Sequence, residues 1–154
     1  MEPSYASGTS TTPLLGDTIG GNLDRTVARF GDREALVSVH QGLRYTYAEF
    51  AAEVERAGRA FIAAGVAPGE RVGIWSPNCA EWAFVQYATA KAGIILVNVN
   101  PAYRTSELEY ALRQSGCRML VATTTFKTSD YINMIDEMDP ALNGLERVVF
   151  LGRD

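Results

Sequence analysis

Residues whose type and spacing favour chemistry are few in this 154-residue chain. The most promising segment is Asn98 to Arg104 (NVNPAYR), which follows an apolar run with the look of a parallel strand. Ligands of open α/β sheets collect outside the carboxyl ends of such strands. Tyr103 offers a ring for stacking, and Arg104 a cation beside the start of the next helix. A guanidinium placed there can grip a phosphate through two parallel hydrogen bonds, whereas a plain turn residue would only be solvated. Both readings stay open at this point.

Other candidates are weaker. The stretch Ser7 to Pro13 (SGTSTTP) has the small residues that let backbone N–H groups converge on phosphate oxygens. No strand precedes it and no Gly-Lys follows, the nearest lysine being Lys91, so a surface arm is the simpler reading. Gly16, Gly20 and Gly21 make no dinucleotide fingerprint, because no strand delivers them. Glu107 and Glu109 fall on an early helical turn, where carboxylates favour the positive end of the helix dipole. Asp136, Glu137 and Asp139 close a later helix on its solvent side. None forms an obvious acid/base pair, and no catalytic or metal-ligating residue is assigned. Cys79 and Cys117 lack metal-type spacing. Cys79 falls at the start of a helix, which can lower a thiol pKa, but a structural thiol is the simpler role. His40, the single histidine, reads as a solvated turn residue.

The elements that must position these groups follow from periodicity. Residues 1–17 read as an arm pinned by Leu14 and Leu15, and residues 18–154 as one incomplete domain. A helix is expected over Thr18–Phe30, then a short antiparallel hairpin, Ala35–Val39 with Leu43–Tyr45, turning at His40-Gln41-Gly42. Thr46 and Glu49 have capping-box spacing, and Phe50, Val54, Ala57 and Phe61 form one stripe of the helix that follows. Strand Arg71–Trp75 leads to a helix ending at Ala92, with Asn78 and Glu81 as a second capping box and Trp82 in the core. Ile94–Val99 reads as an interior parallel strand. A helix capped by Thr105 or Ser106 runs to Ser115, followed by strand Cys117–Ala122, a helix over Ser129–Met138 and strand Arg147–Leu151. Strands alternating with helices make an α/β fold with an open, mostly parallel sheet.

Composition narrows the function classes. A formal charge of −4, with no basic cluster, argues against nucleic acid as a partner. No apolar run approaches the length of a transmembrane segment. The first arginine is Arg25, so neither a signal nor a transit peptide is indicated, and a cytoplasmic address is the expectation.

Three stretches carry a family resemblance: LRYTYAEF (Leu43–Phe50), WSPNCAEW (Trp75–Trp82) and the long run ATAKAGIILVNVNPAYRTSELEYALRQSGCRMLV (Ala88–Val121). Together they resemble the adenylate-forming, AMP-binding acyl-CoA synthetases. Ser4-Tyr5, Gly8 to Leu15 and FKTSDY (Phe126–Tyr131) look like the medium-chain branch, and NVNPAY is unlike the YLPLDP usual in peptide-synthetase adenylation domains. The resemblance implies the first part of a large N-terminal domain in a fatty-acid–CoA ligase. Such an enzyme uses ATP and Mg²⁺ to form an acyl-adenylate, passes the acyl group to CoA, and in full length can form a homodimer. It also implies that CoA approaches this domain from outside, which would place its phosphates near Tyr103 and Arg104. The family's lysine-bearing phosphate loop, its acidic residues and its C-terminal lysine have no counterpart here, so the 154 residues alone are expected to be inactive and to bind none of these ligands tightly. The alternative is a stand-alone interaction or nucleotide-binding module on the same scaffold.

Overall fold

The computed structural model describes Gly8, Thr12, residues 14–138 and residues 144–152. Most of the expected arm, and Asp139 with it, lies outside these residues. Leu14 and Leu15 are described, and they do not pin anything: they are 95% and 74% exposed.

Helix α1 (Ile19–Phe30) starts where Thr18 Oγ1 accepts the Gly21 N–H, as an N-cap should. Strands β1 (Glu34–Ser38) and β2 (Leu43–Thr46) pair antiparallel, with a bulge between Glu34 and Leu36. The expected turn is a 3₁₀ segment, Val39–Gln41, which carries His40 on the exposed surface. Helix α2 (Tyr47–Ala63) opens on the complete Thr46–Glu49 capping box. Its Phe50, Val54 and Phe61 are buried, so the sequence stripe is the core face.

The main sheet has the order β4-β3-β5-β8 and is parallel throughout: β3 (Arg71–Trp75), β4 (Ile95–Val99), β5 (Met119–Thr123) and β8 (Arg147–Leu151). A two-stranded antiparallel ribbon, β6 (Thr125–Phe126) and β7 (Ser129–Asp130), sits between β5 and the short helix α5 (Tyr131–Asp136). The sequence reading ran α5 through this ribbon from Ser129. Asp130, whose carboxylate accepts the Asn133 N–H, starts the helix later.

The sheet separates two cores through its pleat. Val72, Ile74, Met119 and Val121 face α1, α2 and α3 (Ala80–Ala92), whereas Trp75, Leu120 and Ala122 face α4 (Thr105–Ser115) and α5. Gly73 lies on the second face, where an added Cβ would stand 3.1 Å from Leu120 Cδ1 and 3.4 Å from Cys117 Sγ. Helix α3 ends at Gly93, whose φ of 69° places it in the left-handed region where glycine is unstrained.

Three sequence expectations need correction here. Among the described residues strand β4 lies at the edge of the sheet and not in its interior, and Ile95 is 47% exposed. Trp82 is only partly buried against the first core. The Asn78–Glu81 capping box does not form. Cys79 is the N-cap without a side-chain bond, and the Ala80 N–H donates instead to Gln41 Oε1, at 2.7 Å, from the hairpin turn. Gln41 Oε1 also accepts the Ser38 hydroxyl at 2.6 Å, and Gln41 Nε2 donates to Glu81 Oε2 at 2.9 Å. A single amide thereby joins the hairpin to the start of α3.

Candidate functional site

The loop after β4 is built from below by two aromatic side chains. Trp75, at the end of β3, and Tyr131, at the start of α5, stack with centroids 3.4 Å apart and planes within 2°. Both are fully buried. Each spends its polar tip on the loop: the Trp75 indole N–H donates to the Asn100 carbonyl at 3.1 Å, and the Tyr131 hydroxyl donates to the Pro101 carbonyl at 2.5 Å. Burial pushes the Tyr131 phenol up to about 12, so it stays a protonated donor at any physiological pH. Within the loop, Asn100 Oδ1 accepts the Ala102 N–H at 2.9 Å, and the Asn100 carbonyl also accepts the Tyr103 N–H at 3.0 Å.

This frame delivers Tyr103 and Arg104 to different places. The Tyr103 ring packs against the second core and lines an open groove of about 390 Å³ on α4, with Ser106, Tyr110 and Gln114. Arg104 is the N-cap of α4; its backbone N–H donates to Glu107 Oε2 at 2.9 Å. An arginine side chain cannot accept a hydrogen bond, so the reciprocal half of a capping box is chemically absent. The Arg104 guanidinium is exposed and donates through Nη1 to Ser129 Oγ at 3.0 Å. Among the described residues no carboxylate forms an ion pair with it. The sequence alone points to this loop. It missed Ser129, Trp75 and Tyr131, which have no spacing signal of their own because they converge only through the sheet.

A second candidate lies at the topological switch. The chain passes from β3 to β4 on one side and then to β5 on the other, so the carboxyl ends of β3 and β5 flank the crevice where such sheets bind ligands. A groove of about 240 Å³ opens nearby, lined by Gln41, Cys79, Glu81, Thr123, Leu151 and Gly152. Burial raises the Cys79 thiol above its ordinary value, outweighing the lowering by the Ser76 hydrogen bond, so the helix start does not make a thiolate. Cys117 is likewise raised, chiefly by burial. Among the described residues no group of three His, Cys, Asp or Glu side chains is gathered to hold a metal ion. Lys91 pairs with Asp24 at 2.6 Å, and Lys127 lies over the Phe126 ring at 5.3 Å. Neither lysine belongs to a phosphate loop, and these residues do not fit a nucleoside triphosphate with its metal.

A parallel sheet of this order, flanked by helices, is an open α/β fold. Residues 23–153 match the family model described as AMP-binding enzyme, and the chain belongs to that family. Curated relatives include the mitochondrial medium-chain acyl-CoA ligase ACSF2 of Danio rerio, 48% identical over 142 residues, covering 92% of this chain and 23% of the relative. The protein of the same name from Homo sapiens is 41% identical over 143 residues, with 93% and 23% covered. Among solved structures, a long-chain-fatty-acid-CoA ligase (FadD1) from Archaeoglobus fulgidus superposes with a TM-score of 0.80 at 22% identity, covering 99% of this chain and 31% of that one. A Mycobacterium tuberculosis fatty acyl CoA synthetase gives 0.80 at 24% identity, covering 87% and 26%. These two likenesses speak for the fold alone. The chain spans about a quarter of the length of the curated relatives it matches. Their names place them in mitochondria, which overturns the expected cytoplasmic address. Scarcity of arginine before Arg25 describes those residues and does not fix a compartment. No helix among the described residues is long and apolar enough to cross a membrane.

Proposed function

We propose that this chain is the opening part of a fatty-acyl-CoA ligase, residues 1–17 serving as an arm and 18–154 as the start of its N-terminal domain. The whole enzyme would join a fatty acid to CoA through an acyl-adenylate, at the expense of ATP. Residues outside this chain would hold ATP and Mg²⁺, since none here fits them. The chain's own contribution is twofold: it supplies part of a packed scaffold, and it presents Arg104 to the CoA side. The observation that carries the second role is an exposed guanidinium at the start of α4, bonded to Ser129 while Glu107 accepts the Arg104 backbone N–H, with no carboxylate paired to the guanidinium among the described residues. Such a group can bind a CoA phosphate without first breaking an ion pair. Tyr103 supports this indirectly, by anchoring the loop in the second core.

The test uses a chimera in which residues 1–154 replace the matching segment of the Danio rerio relative. A charge-assisted bond of about 1.5–3 kcal/mol predicts that Arg104→Ala raises the apparent KM for CoA roughly 10- to 150-fold. Acid-dependent ATP–pyrophosphate exchange without CoA should stay unchanged. Parallel loss of both half-reactions would mean that Arg104 acts through folding, and loss of neither would leave it a solvated turn residue. The 154 residues alone should give no exchange above the blank.

A further inference from the structure

The β6–β7 ribbon turns on a residue whose type does not favour its backbone conformation. Lys127 has a φ of 52°, the single positive value among the described residues other than glycine. Glycine or asparagine is the less strained choice in this left-handed region, so a lysine there points to a use for its side chain. Lys127 is exposed, with its ammonium 5.3 Å from the centre of the Phe126 ring. The ribbon is also fastened to Arg104. Ser129, which accepts from Arg104 Nη1 at 3.0 Å, pairs with Phe126 across the ribbon and so closes the turn that holds Lys127. Three carboxylates near these elements are engaged by uncharged donors. Glu107 accepts the Arg104 backbone N–H at 2.9 Å, and Glu137 accepts the Thr105 hydroxyl at 3.4 Å. Asp130 accepts the Asn133 N–H at 3.1 Å and the Asn133 side-chain amide at 2.8 Å. The chain has 18 acidic residues against 14 basic ones, yet among the described residues no carboxylate forms an ion pair with Arg104 or Lys127.

We infer that Lys127 is a second phosphate-binding residue, acting with Arg104 on the anionic nucleotide end of CoA. The inference rests on the CoA reading of Arg104 and adds the β6–β7 ribbon to it as a recognition element. The two cations suit different tasks. The planar Arg104 guanidinium can hold two oxygens of one phosphate, whereas the Lys127 ammonium is a point charge on a flexible stem that needs no matched geometry. CoA carries a diphosphate and a separate sugar phosphate, more negative charge than one guanidinium neutralises. Ser129 links the pair: it accepts from the guanidinium, and its register with Phe126 sets where the turn presents Lys127. Neither cation has to leave a carboxylate before it meets the ligand.

The experiment places Lys127→Asn and Lys127→Arg in the chimera described above, beside Arg104→Ala. Asparagine removes the charge but accepts the left-handed conformation, so the melting temperature should not fall. The expected result for Lys127→Asn is a rise of about 3- to 10-fold in the apparent KM for CoA at low ionic strength. The rise should shrink as salt is added, because an exposed charge is screened. Lys127→Arg should stay near wild type. ATP–pyrophosphate exchange should be unchanged in Lys127→Asn, as should the KM for pantetheine, an acceptor thiol without any phosphate. A raised KM for CoA in Arg104→Ala but not in Lys127→Asn would overturn the inference and leave the Arg104 reading standing. No change in either variant would overturn both. An equal rise for pantetheine and CoA would also overturn the inference, since Lys127 would then act on the shape of the ribbon and not on phosphate.

Discussion

Replacing Tyr131 by Phe isolates one bond in the frame beneath the Asn98–Arg104 loop. The ring remains, so its 3.4 Å stack on Trp75 should survive, and only the hydroxyl's bond to the Pro101 carbonyl is lost. A net hydrogen bond contributes about 0.5–1.5 kcal/mol, and stranding a buried acceptor moves the cost toward about 3 kcal/mol. A loss of about 1–2 kcal/mol in urea unfolding is therefore expected. Tyr131→Ala, which also removes the ring from a fully buried site, should cost about 3–5 kcal/mol. The same variant has a signature in alkali. The phenol is held up to about 12 by burial, above its ordinary value of 10.0. The native state thus keeps a proton that the unfolded chain gives up. The stability tied to this group is intact below pH 10 and falls as pH rises toward 12. Tyr131→Phe lacks that group, so the gap between wild type and variant should narrow across this window. Faster amide exchange at Tyr103 and Arg104 in the variant, at neutral pH, would complete the expected pattern. A loss below about 0.3 kcal/mol with unchanged exchange in the loop would refute the claim that Tyr131 holds it.

Gln41→Ala should cost about 1–3 kcal/mol, because the Ala80 N–H is left buried without its acceptor; an unfolding free energy, from chemical denaturation, lowered by less than about 0.5 kcal/mol would show that another group takes over the cap. Phe61→Ala should cost about 3–5 kcal/mol and Trp82→Ala only about 1–3 kcal/mol, since Trp82 is partly exposed; equal losses in the same titration would refute that ranking. The Glu70 carboxyl is held below its ordinary value, first by the Ala67 N–H and then by Arg118. Its contribution is present above the unfolded carboxylate range and lost as pH falls through the depressed value. The melting-temperature gap between wild type and Glu70→Gln should therefore be open at pH 7 and close in acid. A gap independent of pH would exclude the charge as its cause.

Local signals made most of the fold legible. The Thr46–Glu49 box, the Phe50–Val54–Phe61 stripe and the apolar run of β3 are encoded within one or two helical turns or a single strand, and the structure honours them. What failed was decided at a distance. Asn78 and Glu81 have the spacing of a capping box, yet Gln41 reaches the helix start from another element and supplies the acceptor. The apolar residues of β4 suggested an interior strand, but only the order of strands in space determines which one lies at the edge. The site divides the same way. Residues 98–104 were visible because they follow a strand, whereas Trp75, Tyr131 and Ser129 reach the loop from three separate elements.

The strand order also has a consequence for synthesis. Strand β3 lies between β4 and β5, and Val72 pairs with Met119 on the side away from β4. As the chain leaves the ribosome at roughly 5–20 residues per second, β3 and β4 can pair first, on the order of a few seconds before β5 arrives. During that interval one side of β3 is an unpaired edge, and Ile74 and Trp75, fully buried at the end, have incomplete cover. Gly73 in the middle of that edge carries no side chain, which lowers the stickiness of the strand while it waits and leaves room for Leu120 when β5 docks.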